Sequence, residues 1–403
     1  MLYRRMESTG DELSILGFGA MRLAQRSGRI DEERATRQIR DAIDNGVNYV
    51  DTAVPYHMGT SEPFIGRVLR DGYREKVKLA TKLPPWLANT REDMDRILGE
   101  QLKKLQTDHI DYYLVHALNG DTWAKMRDLG VLEFLAAAES DGRIVNAGFS
   151  FHGSLPDFKE IVDANDWKFC QIQYNYLDEK FQAGIEGLEY AAAKGMGIIA
   201  MEGLRGGVLG KVPPPAVQAI WDEADVKRSP AEWALRWVWN RPEIIVNLSG
   251  MNEEAHIAEN FRVADEALPN SLTEKELELV HRAAETYRSL MRSDCTGCRY
   301  CLPCPAGVDI PGCLGALNNK YALADKRAGF VYMVFLSGAL GGKPAVASLC
   351  TECGTCLPRC PQSVPIPDVL KEVAAEFEGP LFPIKKWLFG RLFRFKRWQA
   401  RRG

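Results

Sequence analysis

The chain has little that would take it out of water. Its longest apolar run, around Phe330–Leu340, is too short to span a bilayer. Its N-terminus, Met1-Leu2-Tyr3-Arg4-Arg5, runs into polar residues instead of the apolar stretch of a secretory leader, so a cytoplasmic protein is expected. Net charge is scarce: 51 Lys and Arg oppose 54 Asp and Glu, leaving −3, which argues against whole-protein attraction to nucleic acid. Before Cys295 the only cysteine is Cys170; the other nine of the ten fall between Cys295 and Cys360. That crowding, without an export signal, favours metal ligation over disulfides. Acid is absent from residues 381–403, which hold Lys385, Lys386, Arg391, Arg394, Lys396, Arg397, Arg401 and Arg402; these eight charges, set against an overall −3, leave −11 on the rest.

What the chain does have is alternation. Short apolar runs at Ser14–Leu23, Val47–Asp51, Val77–Lys82, Ile110–His116, Ile144–Phe151, Phe169–Leu177, Gly197–Met201 and Ile244–Gly250 are separated by helical spacing. The helical stretches include Asp31–Asn45, Ser61–Asp71, Thr90–Gln106, Asp121–Asp141 and Asp178–Lys194. This predicts an α/β fold, a (β/α)8 TIM barrel over residues 1–290. An open doubly wound sheet fits less well, because Gly17-Phe18-Gly19 continues as Ala20-Met21-Arg22 without the third glycine of a dinucleotide turn.

Chemistry in such a barrel gathers at the C-terminal ends of the strands. Asp51, Lys82 and His116 end the second, third and fourth runs, and Tyr56 follows Asp51 in the loop past Pro55. A phenol is a poor acid at neutral pH, since a tyrosine ordinarily titrates near pH ~10. An adjacent ammonium makes it a better proton donor, a carboxylate can hold that ammonium, and an imidazole can orient a carbonyl oxygen. Together these residues, in Val-Asp-Thr-Ala-Val-Pro-Tyr, Ala-Thr-Lys and Tyr-Leu-Val-His, resemble the catalytic tetrad of the aldo-keto reductase family in order and spacing. The resemblance covers about residues 1–290. It implies a barrel that binds NADP or NAD at the strand ends and passes hydride to a small carbonyl substrate (aldehyde, ketone or quinone), with Tyr56 as general acid.

The resemblance also implies nucleotide contacts. Ser150, Gln171 and Met201 fall at positions around the nicotinamide, with Met201 where the family usually has a stacking aromatic and Phe151 where an asparagine usually follows the serine, and Met21 is a further cofactor-binding residue. Leu204 and Arg205 fall where the pyrophosphate passes. Gly250, Asn252, His256, Glu259 and Asn260 align with the adenosine-binding loop and helix; Gly250 and His256 replace two cations common in NADPH-preferring members, so either nucleotide is allowed. His57 and His152 adjoin these motifs and are candidate pocket residues, whereas His109 and His281 are expected on the surface.

Beyond the helical stretch Thr273–Met291 the composition changes. Cys350, Cys353, Cys356 and Cys360-Pro361 match the bacterial ferredoxin run C-x2-C-x2-C-x3-C-P; Cys295, Cys298, Cys301 and Cys304-Pro305 match it one residue short. In two-cluster ferredoxins the fourth cysteine of each run serves the other cube. On that logic Cys295, Cys298, Cys301 and Cys360 hold one 4Fe–4S cluster, and Cys350, Cys353, Cys356 and Cys304 the second. Cys313 is then a spare thiol or a substitute ligand, and structural zinc is the alternative metal. A ferredoxin-like iron–sulfur domain over 291–380 joined to a reductase barrel resembles a bacterial and archaeal subgroup of aldo-keto reductases.

Residues 381–403 form a basic aromatic tail in which Trp387, Leu388, Phe389, Leu392, Phe393, Phe395 and Trp398 interleave with cations. Three partners suit it: the protein's own acidic barrel, an acidic redox partner, or an anionic membrane surface approached peripherally. The leading expectation is an NAD(P)H-dependent carbonyl reductase whose clusters relay electrons. The alternative is an electron-transfer subunit in which the barrel is a scaffold and the clusters dock a partner.

Overall fold

The computed structural model describes residues 1–322, 325–339 and 343–400, with side chains in the last stretch only as far as residue 391. Leu340, and the tail's cations and aromatics from Leu392 onward, therefore lie outside the described side chains.

Eight parallel strands close into a barrel: β1 Leu16–Gly19, β2 Tyr49–Asp51, β3 Lys78–Leu83, β4 Ile110–Leu118, β5 Ile144–Phe151, β6 Phe169–Gln173, β7 Gly197–Met201 and β8 Ile244–Ser249. Closure comes from β8 pairing with β1, with Asn247 opposite Leu16 and Ser249 opposite Phe18. An antiparallel hairpin, Tyr3–Met6 with Asp11–Ser14, precedes the barrel. Its Met6 and Leu13 pack with Tyr49, Ala80, Tyr112, Leu114, Phe169, Ile199 and Val246, which face the barrel interior.

That interior layer positions the site by simple periodicity. Side chains alternate along a strand, so two residues onward lies the same face. From Tyr49, Ala80 and Leu114 the step reaches Asp51, Lys82 and His116; from Phe169 and Ile199 it reaches Gln171 and Met201. Lateral register does the rest. Asp51 lies opposite Ala80, Lys82 opposite Leu114, and Gln171 opposite Ser150.

The expected helices form with two differences. Asp31 and Thr90 cap Glu32–Asp44 and Arg91–Leu105, the latter with a full capping box through Asp93. The stretch expected as one helix over 121–141 is two, Gly120–Asp128 and Val131–Ser140. Gly130 between them has φ +76, a left-handed conformation that ends a helix at little cost only for glycine. The helix expected from Asp178 begins at Gly184, because Gln182 and Gly184 take left-handed conformations, φ +58 and +56, that interrupt helical backbone up to that point.

The chain divides into two compact units, Met1–Gly210 with Arg228–Val280, and Lys211–Lys227 with His281–Gly403. Residues 211–227 join the second through contacts such as the two-pronged Arg282–Glu223 pair, both bonds 2.7 Å. That unit carries the helices Ile310–Tyr321, Ala328–Leu336, Ile366–Phe377 and Phe382–Ala400. Its core includes Val308, Ile310, Leu314, Leu317, Tyr332, Ile366, Leu370 and Val373.

Candidate active site and cysteine centre

Lys82 is the hub of the barrel mouth and has no exposure to solvent. Its Nζ donates to Asp51 Oδ1 at 2.6 Å and to the Thr52 carbonyl at 2.8 Å, and stands 3.5 Å from the Tyr56 hydroxyl. The Tyr56 ring meets the His116 imidazole edge-on at 6.3 Å between centroids. All four expected residues therefore meet, and all are buried. Burial pushes the Asp51 carboxyl up and the Lys82 ammonium down, while their mutual attraction opposes both shifts. Burial, then the nearby Lys82 charge and His152, hold His116 well below the usual imidazole range. It is a neutral imidazole at physiological pH.

Several neighbours carried no motif. Glu62 is a buried carboxylate that accepts from Thr81 Oγ1 and Gln101 Nε2, each at 2.8 Å, and its charge adds to the field favouring protonated Lys82. Trp86, in the Pro-Pro-Trp loop after β3, brings its ring to 5.2 Å from His116. Both follow a tetrad member closely in sequence, and that proximity was the available signal. The histidines sort as follows. His152 is pushed down to about 4 by burial, contacts Gln182 Oε1 at 3.1 Å, and is near enough to His116 to affect its charge. His57 accepts the Leu23 N–H at 3.2 Å and contacts Gln25 at 3.0 Å, so it ties down the loop after β1. His109 is half-buried, His256 is exposed, and His281, also exposed, pairs with Glu285 at 3.3 Å.

Around the expected nicotinamide position, the Ser150 hydroxyl accepts the Ala117 N–H at 2.7 Å. Gln171 Nε2 lies 3.4 Å from Met201 Sδ, while its buried Oε1 has no hydrogen-bond partner. Met21 and Leu204 are half-buried. Glu202, directly after Met201, is left-handed with φ +61, and burial raises its carboxyl above the usual range.

The Arg205 guanidinium is buried and paired with Asp178, Nε to Oδ2 at 3.0 Å. Gln173 and Asn175 also donate to Asp178, at 2.8 and 2.9 Å, so arginine and aspartate together brace the loop after β7. Asn260 likewise turns inward, donating to Ser249 Oγ at 2.8 Å, and Glu259 accepts from Ser229. The Asn252 carbonyl accepts from Gln38 at 3.1 Å. At Gly250 a Cβ would come within 3.0 Å of Arg22 Cβ, so the Arg22 side chain occupies the space that a longer residue would need.

The cysteines fall into two neighbourhoods. Burial, then the thiols of Cys298, Cys295 and Cys360, push Cys301 up to about 12. Cys356 is raised by burial and by Cys350, Cys304 and Cys353. Cys301, Cys304, Cys350, Cys353 and Cys356 line a small cavity with Pro305, Ile310, Pro367 and Leu370. Cys313 is fully buried in the apolar core, 3.7 Å from the Ala345 carbonyl, and burial pushes it up to about 12; it sits as a core thiol. Among the described residues no three His, Cys, Asp or Glu are close enough to hold a single metal ion. A cube instead takes each thiolate on its own iron, which suits two quartets of spaced thiols.

Comparison with known proteins agrees with this geometry. The sequence pattern of the Aldo/keto reductase family matches residues 15–280, and that of the 4Fe-4S dicluster domain matches 294–364. Aldo-keto reductase YhdN of Bacillus subtilis is 38% identical over 125 residues, 29% of this chain and 38% of that protein, so the match spans under half of YhdN. Uncharacterized oxidoreductase YrpG of the same organism is 30% identical over 231 residues, 52% of this chain and 68% of YrpG. An aldo/keto reductase from Klebsiella pneumoniae in complex with NADPH shares the barrel with a TM-score of 0.56 at 22% identity, over 70% of this chain and 95% of that one. With the family matched from Ile15 to Val280 and an iron–sulfur domain matched beyond it, the chain belongs to the aldo/keto reductase family and joins that barrel to a 4Fe-4S dicluster domain.

Proposed function

We propose that the protein is an NAD(P)H-dependent carbonyl reductase in which Tyr56 is the acid. The observation that carries this reading is the buried Lys82 ammonium 3.5 Å from the Tyr56 hydroxyl, held by Asp51 at 2.6 Å. Reduced nicotinamide, when bound, supplies a hydride to the carbonyl carbon. As that C–H bond forms and the C=O π bond breaks, the carbonyl oxygen takes the Tyr56 proton. The phenolate left behind faces the Lys82 charge, which lowers the cost of the transfer. His116, neutral, donates a hydrogen bond that orients the carbonyl. The unpartnered Gln171 Oε1 and the Ser150 hydroxyl suit the nicotinamide carboxamide, with Met201 against the ring. Replacing Tyr56 by Phe should lower turnover of an aldehyde or quinone by about 10²–10⁴-fold while nucleotide binding persists. Turnover near that of the parent would remove Tyr56 from the role.

The thiol quartets suit two 4Fe–4S clusters, one on Cys295, Cys298, Cys301 and Cys360, the other on Cys304, Cys350, Cys353 and Cys356. Such clusters pass electrons singly, whereas a nicotinamide gives two as hydride. A second reading, in which the barrel is a scaffold and the clusters serve a redox partner, draws on the same quartets. Anaerobic EPR after adding NADH and NADPH separately discriminates. Cluster reduction by either nucleotide supports a relay within one molecule, while absence of nucleotide binding together with co-purification of a redox complex supports the second reading.

A further inference from the structure

The helix Ala328–Leu336, Ala-Gly-Phe-Val-Tyr-Met-Val-Phe-Leu, is apolar on every side. A helix of that kind is ordinarily enclosed. Here only one side is, through Ala328, Tyr332, Met333 and Val334, while Phe330, Val331 and Phe335 are exposed, Phe335 by 71%. The helix Phe382–Ala400 lies beside it, with the Phe330 and Phe389 rings edge to face at 5.7 Å.

This second helix explains why its sequence shows no single amphipathic stripe: it has two apolar faces. Phe382 and Phe389, seven residues apart, face the domain, and Phe382 packs near Tyr332 at 6.3 Å between centroids. On another face Ile384, Trp387, Leu388 and Arg391 follow the i, i+3, i+4, i+7 pattern, and all four are exposed. Leu381 adds to the exposed surface. The Arg391 guanidinium sits 4.8 Å from the Trp387 ring centroid, Lys385 is exposed, and Lys386 is half-buried. Lys326 and Arg327 precede the first helix, and Arg327 pairs with Asp325 at 3.7 Å.

We propose that this two-helix face binds an anionic lipid surface, lying in the headgroup layer. Apolar area, tryptophan and the cations Lys385, Lys386 and Arg391, for which no acidic partner stands among the described residues, match the interfacial pattern, in which Lys and Arg stems lie along the apolar surface and their charges reach the phosphates. A protein partner fits less well, because lysine is depleted from protein interfaces whereas Lys385 and Lys386 here sit within the apolar turn. Spanning does not enter, since among the described residues no helix is long and apolar enough to cross a membrane. The inference is independent of the reductase chemistry.

The test uses the full-length, cluster-loaded protein in flotation with phosphatidylcholine vesicles, with and without phosphatidylglycerol. The protein should float with the anionic vesicles only and be released by salt. Lys385→Gln and Lys386→Gln should each weaken partitioning about fivefold. Trp387→Ser and Leu388→Ser should weaken it on the order of tenfold while cluster absorbance stays that of the parent. Lack of binding to anionic vesicles, or equal binding by all four variants, overturns the proposal. So does a concentration-dependent dimer in sedimentation that Phe335→Ser dissolves, since a second copy would then be what covers the face.

Discussion

At the residue scale the Asp51–Lys82 pair controls both chemistry and stability. Lys82→Met removes the charge facing Tyr56 and leaves a carboxyl enclosed without its counter-ion. Turnover should fall at least on the order of 10²-fold. Breaking a buried pair costs about 3–5 kcal/mol when the survivor stays charged. Burial already raises the Asp51 carboxyl, so the variant escapes part of this cost by binding a proton. A raised folded-state pKa gives stability that is full in acid and is lost as pH rises, so melting curves of the variant should weaken from acid toward neutral pH relative to the parent. His152 works the other way. Its folded value of about 4 lies below the usual 6.5, so the stability it supports is complete above pH 6.5 and is lost as pH falls toward 4. The parent should lose melting temperature across that window, and His152→Gln should flatten that part of the curve.

At the element scale the loop after β7 shows how a plausible ligand becomes a brace. An arginine beside a phosphate path suits pyrophosphate, yet Arg205 pairs with Asp178, which Gln173 and Asn175 also approach. Arg205→Ala should therefore destabilise the barrel by about 3–5 kcal/mol, read by chemical denaturation. Nucleotide affinity should change far less than if the guanidinium held a phosphate directly. A large affinity loss with unchanged stability would return Arg205 to the phosphate. The split at Gly130 teaches a related lesson: apolar spacing runs through 121–141 without interruption, and a single left-handed residue divides it.

At the scale of the whole molecule two chemistries share one chain. If the quartets each hold a cube, the parent carries about eight irons. Cys360→Ser and Cys304→Ser should each remove about half of the iron, from different clusters. Iron and sulfide assay with EPR after anaerobic purification checks this. Carbonyl turnover that survives both substitutions would separate the barrel's reaction from the clusters; turnover that falls with cluster loss would tie them together.

The sequence alone determined the barrel and its four-residue mouth, because alternating strands and helices and polar residues at strand ends are local, periodic signals. It also marked the paired cysteine runs, since ligand spacing is covalent and short-range. Only the tertiary structure decided which polar groups face inward. Glu62 and Trp86 reach the site, Arg205 pairs with Asp178, and Asn260 donates to Ser249, through partners distant in the chain. The tail's second apolar face also became visible only once Phe382 and Phe389 were seen packed, leaving Ile384, Trp387 and Leu388 exposed. Burial and pairing depend on contacts that no local spacing specifies, and they set whether a charge meets a substrate or a neighbouring side chain.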